Sequence, residues 1–246
     1  MSRLLSLCLF IVMALTPVPT LAQTVFYQPS VSDRALTEAQ WRETWRQLSE
    51  SGIRQVIVQW TRYDNEEFGG QDGWLQRALQ SAEQQNLDLV LGLSFQSDYR
   101  SVLVQQDRPH YFWHHLLSDA HLQQERLLEW GLQPQAWYLP YSLDDGLYRS
   151  AELMREIDYQ LKAFYALDKR PLHISAQSTG QLAPRVYAEW LGLLGSEQVQ
   201  IWWHSGAELP AVVKQAYQVL LPCRVGIVEP EADVSDCHPQ ARLLRP

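Results

Sequence analysis

The chain has 246 residues, a formal net charge of −8, seven His, three Cys and ten Trp. That length suits one large domain, and 46% apolar with 20% charged residues can bury a full core, which excludes a disordered or collagen-like chain. The acidic balance, with no Lys/Arg cluster, excludes a duplex nucleic-acid binder, which needs a concentrated basic face.

The first 22 residues read as an address. Arg3 supplies a basic start, residues 4–15 are apolar except Ser6, and Pro17 and Pro19 break the run before Thr20-Leu21-Ala22. This is the layout of a secretory signal peptide with cleavage after Ala22. Cys8 sits too early, behind a Leu that is not small, to be a lipid-attachment cysteine. The expected organisation is a signal peptide at 1–22 and a single barrel domain at 23–246, in a periplasmic or secreted location. No other apolar run approaches the roughly 20 residues that span a bilayer, so no transmembrane segment is expected in the mature chain.

From residue 23 on, short apolar runs alternate with helix-period stretches. A strand at 24–28 is followed by a helix that Thr37 caps, with Trp41, Trp45 and Leu48 on one packing face and Gly52 ending it. Strands at 55–61 and 88–95 bracket a helix at 73–86. An irregular stretch at 96–109 leads to a helix at 111–130, then a strand at 135–141. A helix at 151–167 turns Leu153, Ile157, Leu161 and Phe164 inward. Strands at 171–176, 199–203 and 224–228 alternate with helices at 185–194 and 211–220. His173 falls within a strand, as a buried core histidine. Cys223 and Cys237 are close enough to cross-link in an oxidising compartment, for about 3 kcal/mol.

Strands separated by helices pair in parallel through right-handed crossovers. This leaves an open doubly wound sheet or a (β/α) TIM-type barrel. No glycine-rich phosphate loop follows the first strand, the units are evenly spaced, and polar and aromatic residues gather at strand ends. These features favour the barrel. Its C-terminal unit is short, with 241–244 as the only candidate for an eighth strand.

The strand ends carry Tyr27 and Gln28, then Gln59, Trp60 and Thr61 with Tyr63 beyond, then Ser94 and Gln96. Further along come Tyr138, Tyr141, Ser142, Asp144 and Asp145, then Gln177 and Ser178, Trp202 to Ser205, and Glu229. Amides and hydroxyls both donate and accept, and indole faces stack on sugar C–H faces, so this rim suits an oligo- or polysaccharide. A phosphate or nucleotide would call for Arg, Lys or a glycine loop. No cofactor is expected.

F-Y-Q-P at 26–29, Trp41, V-I-V-Q-W-T at 56–61 with Tyr63, and W-Y-L-P at 137–140 before Asp144-Asp145 resemble a bacterial family called domain of unknown function 4434. Its members look like glycoside-hydrolase TIM barrels. The resemblance implies that fold and a secreted location. It also exposes two departures. Ser142 stands where the family commonly carries a Glu, and His204-Ser205-Gly206 where it tends to show an amide, an acid and a glycine. Both remove a carboxylate, and glycoside hydrolysis uses two.

Glu229 is then the candidate nucleophile or base, and Asp144 or Asp145 the acid. The competing assignments are a solvated residue before Pro230 for Glu229, and a solvated turn before Gly146 for the two aspartates. Tyr27, Gln28, Gln59, Trp60, Tyr63, Tyr138, Trp202 and Trp203 are the candidate substrate-binding residues. No metal site is expected: His110 and His114 lie one turn apart, but His121 is about 10 Å further along a helix, too far to share an ion needing donors at about 2.1 Å. A Ser–His–Asp esterase lacks a G-x-S-x-G elbow. Two expectations remain: a hydrolase acting on an exopolysaccharide or envelope glycan, and a glycan-binding barrel that has lost its acid pair.

Overall fold

The computed structural model describes residues 23–105, 109–206, 208–229 and 237–244. The expected leader at 1–22 lies outside the described residues. Eight parallel strands close into a barrel: β1 Gln23–Tyr27, β2 Ile53–Val58, β3 Asp88–Gly92, β4 Ala136–Asp144, β5 Leu172–Ser178, β6 Val199–Ser205, β7 Gly226–Val228 and β8 Gln240–Leu243. The helices are α1 Glu38–Glu50, α2 Trp74–Glu83, α3 Tyr99–Gln105, α4 Pro109–Leu128, α5 Ala151–Tyr165, α6 Pro184–Leu194 and α7 Ala211–Leu220.

The two faces of each strand make two cores. Outward side chains such as Val25, Val56, Leu89, Leu139, Ile174 and Ile201 pack beneath the helices in the larger one. Inward side chains fill the lumen: Phe26, Ile57, Val90, Ala136, Tyr138, Trp202 and Ala241. There the Phe26 ring meets Tyr138 and Trp202 edge to face, each at 5.6 Å. Gly226 is required beside them, because a Cβ would lie 2.4 Å from the Trp202 ring. Trp41 and Trp45 stack at 5.3 Å on α1 and take the edge of Tyr27, which is the helix-on-barrel packing their spacing predicts.

The eighth strand exists. It pairs with β7 through Gln240 and Ala241 and with β1 through Ala241, Arg242 and Leu243. The disulfide joins Cys223, just before β7, to Cys237, just before β8, so it staples the two shortest strands at the barrel's seam.

Two expectations need correction. The stretch 96–109 is not wholly irregular, because α3 occupies Tyr99–Gln105. Among its described side chains only Tyr99 and Leu103 are buried, too few to give a readable period. The fourth strand continues past Tyr141 to Asp144. Its ladder with β5 steps from Leu139–Ile174 directly to Ser142–Ser175. Pro140 has no N–H for the ladder, and a bulge lets the strand resume after it.

His173 lies in the lumen, where its Nδ1 accepts the Trp202 indole N–H at 3.1 Å. Burial lowers its pKa to about 4 from the ordinary 6.5. The unfolded chain therefore binds the proton more readily, and folding stability falls as pH drops from 6.5 toward 4. Denaturant melts of the wild type should lose about 3 kcal/mol from this group across that window, and His173→Gln should flatten the slope. Removing the disulfide with Cys223→Ser and Cys237→Ser together should cost about 3 kcal/mol in the same assay.

Candidate functional site

The C-terminal rim is built mainly by the loops after β2 and β3. Residues Arg62–Tyr63 and Ser94–Phe95 form a short parallel ribbon above the barrel. Asp64 locks it: its N–H donates to the Phe95 carbonyl at 2.8 Å, and its carboxylate accepts the Ser97 N–H and hydroxyl, each at 2.8 Å. On the inner side of the ribbon, Trp60 stacks on Phe95 at 5.6 Å and Tyr63 meets Trp60 at 5.1 Å. The indole N–H of Trp60 is held by the Pro29 carbonyl at 3.1 Å, and the ring is half-buried.

Two hollows flank the ribbon, and the aromatic rings Trp60 and Tyr63 line only the smaller. One, of 340 Å³, is walled by Gln28, Ser30, Trp60, Tyr63, Glu66 and Phe68. The other, of 780 Å³, lies between the ribbon and α4. Asp64, Gln96, Asp98, Asp119 and Gln123 line it, with Tyr141 as part of its wall. The Tyr141 hydroxyl donates to the Ser94 carbonyl at 3.0 Å, and burial pushes its pKa upward.

The residues expected at the site divide sharply. Gln28, Gln59, Trp60 and Tyr63 stand together, with the Gln28 amide donating to Gln59 Oε1 at 2.6 Å. Tyr27, Tyr138, Trp202 and Trp203 do not join them, each being 5% exposed or less. Tyr27 and Trp203 face outward under the helices, and Tyr138 and Trp202 fill the lumen. A ring enclosed on both faces has none to offer a sugar, so these four are packing residues.

Asp145 is also structural. Its carboxylate accepts the N–H groups of Thr179, Gly180, Gln181 and Leu182, and the hydroxyls of Thr179 and Tyr217. Burial works to raise its pKa, but the hydrogen bonds from Thr179, Leu182 and Tyr217 outweigh it and hold it below the ordinary carboxylate value. Neither this residue nor Asp144 is a solvated turn, for both are fully buried.

Asp144 uses Oδ1 to accept the N–H groups of Gly146 and Leu147, each at 2.9 Å. Its Oδ2 faces Arg100 Nη1 at 3.0 Å. Burial raises its pKa and outweighs the opposing Arg100 guanidinium. Glu229 closes β7 with a left-handed φ of 51°. Its N–H donates to the Ala241 carbonyl at 2.8 Å, and its Oε1 accepts the Leu243 N–H at 2.7 Å. At the neighbouring strand ends, His204 is lowered in pKa by burial, and Ser142 Oγ and Ser178 Oγ are buried without a hydrogen bond.

The α4 contribution to the cleft, Asp119, Gln123 and Arg126, has no strand-end signal in the sequence. What marks it is the polar run on a helix that also buries Trp113 and Leu117. His114 and His121 on the same helix line a different, shallow hollow against α5.

Replacing Asp145 with Ala strands four N–H groups and the Thr179 hydroxyl, and should cost about 3–5 kcal/mol. Because the folded pKa is depressed, the Asp145 contribution is present above the unfolded carboxylate value and lost as pH falls through the folded one. Acid denaturation should therefore be steeper for the wild type than for Asp145→Ala.

No helix among the described residues is long and apolar enough to cross a membrane. The chain is 27% identical over 192 residues to "Uncharacterized protein YbcH" of Escherichia coli (strain K12), covering 74% of this chain and 64% of that protein. It thus spans less than two thirds of that relative. Among solved structures it resembles a putative alpha-L-fucosidase from Bacteroides thetaiotaomicron, with TM-score 0.52, 13% identity and coverage of 83% of this chain and 71% of that one. It also resembles a Thermobaculum terrenum O-GlcNAc hydrolase mutant, with TM-score 0.50, 10% identity and coverage of 91% and 54%. At these identities the likeness is one of fold, a barrel like those of glycoside hydrolases. The family model described as "Domain of unknown function (DUF4434)" matches residues 23–207, and the chain belongs to that family.

Proposed function

We propose that this chain is an exported, glycan-binding barrel that engages an exopolysaccharide or envelope glycan on its C-terminal rim. One observation supports this above the others. A 780 Å³ cleft walled by amide, hydroxyl, carboxylate and guanidinium groups shares the ribbon at Arg62–Tyr63 with a 340 Å³ hollow that Trp60 and Tyr63 line. A polyhydroxylated chain needs both: groups that donate and accept along its edges, and flat rings against its C–H faces. The expected signal peptide and the Cys223–Cys237 disulfide support a periplasmic or secreted setting.

Binding is favoured over turnover by the state of the acids. Hydrolysis needs a carboxylate pair about 5–5.5 Å or 6.5–9.5 Å apart with access to one bond. Asp145 is saturated by six donors, and Asp144 is fully buried beside Arg100. Ser142 and His204-Ser205 stand where the family resemblance leads one to expect further acids.

Hydrolysis, with Glu229 as nucleophile or base and Asp144 as donor, is the second reading. The upward shift of Asp144 favours it, since a proton donor needs a raised pKa.

Electrophoresis through gels containing dextran, deacylated gellan or polygalacturonate separates these outcomes. The wild type should be retarded. Trp60→Ala should bind at least tenfold more weakly while its melting temperature moves by only a few degrees, and Glu229→Gln should bind normally. Absence of retardation on every polysaccharide, or full retention by Trp60→Ala, overturns the binding reading. Reducing ends released by the wild type and not by Glu229→Gln would establish hydrolysis in its place.

A further inference from the structure

The large cleft continues beyond its own wall. Arg62, Gln123 and Arg126 line both it and a second hollow of 220 Å³, so the two meet over a saddle made of these three side chains.

The floor of the saddle is rigid. Gln123 Oε1 accepts the Ser94 N–H at 2.5 Å, and its Nε2 donates to Thr61 Oγ1 at 3.1 Å. The Thr61 hydroxyl in turn donates to the Gly92 carbonyl at 2.8 Å. The amide is thus committed to tying α4 to the ends of β2 and β3, which leaves recognition to the two guanidinium groups beside it.

Neither guanidinium is strongly neutralised. Arg62 Nε donates to the Asp64 carbonyl at 3.0 Å, and its Nη1 lies 3.8 Å from Glu67 with both side chains well exposed. A pair of that kind is weak. The Arg126 guanidinium has no ion pair or hydrogen bond among the described residues. On either side of the saddle the charge reverses, with Asp64, Asp98 and Asp119 in the larger hollow and Glu67 and Glu129 in the smaller. Along the groove the sign runs negative, positive, negative.

We propose that this groove holds an internal stretch of a sparsely charged acidic polysaccharide, with one uronate carboxylate seated between Arg62 and Arg126 and neutral sugars in the hollows on both sides. The inference rests on the glycan-binding reading and adds the class of glycan. A guanidinium fork matches a planar carboxylate and strengthens its hydrogen bonds through charge. A polymer charged at every residue would set carboxylates against Asp98, Asp119 or Glu129 while one sat on the saddle. That repulsion selects against it. A neutral polymer gains the hydrogen bonds but nothing at the saddle.

The test compares three soluble polysaccharides in affinity gels: deacylated gellan, whose repeat carries a single glucuronate; polygalacturonate, charged on every sugar; and neutral dextran. The wild type should bind gellan at least tenfold more tightly than either of the others. Arg126→Gln should bring gellan down to the level of dextran, and Arg62→Gln should weaken it several-fold, with the loss on dextran smaller than the loss on gellan in both. Equal retention by gellan and dextran, or gellan binding untouched by Arg126→Gln, overturns the uronate inference and leaves the glycan-binding reading standing. Polygalacturonate binding as tightly as gellan overturns it too. A wild type retarded by none of the three fails both.

Discussion

Phe26, Tyr138 and Trp202 meet edge to face inside the barrel, and the position of everything functional follows from their filling it. Barrel lumens are packed cores rather than pores, and here three aromatic rings do most of the packing. His173 and Ser175 are absorbed into the same plug, one accepting from the Trp202 indole and the other paired with the Tyr138 hydroxyl at 2.6 Å. With the axis solid, a ligand must lie on top of the barrel. Recognition therefore passes to whatever the loops erect there, and the loops after β2 and β3 erect the most.

Those loops hold unusual backbone to do so. Asp64, Phe68 and Asp72, all within the segment that follows β2, have φ between 49° and 61°. Such conformations cost about 1–3 kcal/mol each in a side-chain-bearing residue and persist only where neighbours over-determine them. Here the neighbours are identifiable. Asp64 is clamped by Ser97 and Phe95, Phe68 is buried against the edge of Trp74, and the Asp72 N–H donates to the Gln76 side chain on α2. The Asp64 contacts also hold the ribbon, while those of Phe68 and Asp72 tie the same loop to α2.

The barrel was legible because its signals are local and repeated: apolar runs of strand length, helix-period stretches between them, and caps such as Thr37, whose side chain accepts the Gln40 N–H. Even the four-residue eighth strand left a trace in Ala241–Leu243. The site was legible only in part. Residue position at a strand end identifies the rim, but not which way a side chain points. Burial decides that, through parity: Gln59 and Trp60 are adjacent and both reach the rim, whereas Tyr138 and Trp203, equally polar-tipped, are drawn into opposite cores. The helix residues Asp119, Gln123 and Arg126 escaped because their role depends on α4 lying against the β2 and β3 loops, a tertiary fact with no local signature. The strand expected to end at Tyr141 runs on to Asp144, because the bulge at Pro140 lets its ladder resume at Ser142.

Asp144 and Asp145 show how far identity is from function. They are neighbours in the chain, equally buried, and shifted in opposite directions. Asp145 meets the turn at Thr179–Leu182, whose N–H groups all point at one spot, and becomes the anion that holds that turn. Asp144 receives only two backbone donors and one guanidinium from a short helix, so burial prevails. A carboxylate with every lone pair taken cannot accept a substrate proton, whereas Asp144 keeps one oxygen, Oδ2, that faces only the exposed Arg100. If any chemistry survives on this barrel, Arg100 must therefore leave Asp144 before it begins. A glycan resting in the cleft against Asp98 would lie only two residues from the guanidinium that has to move.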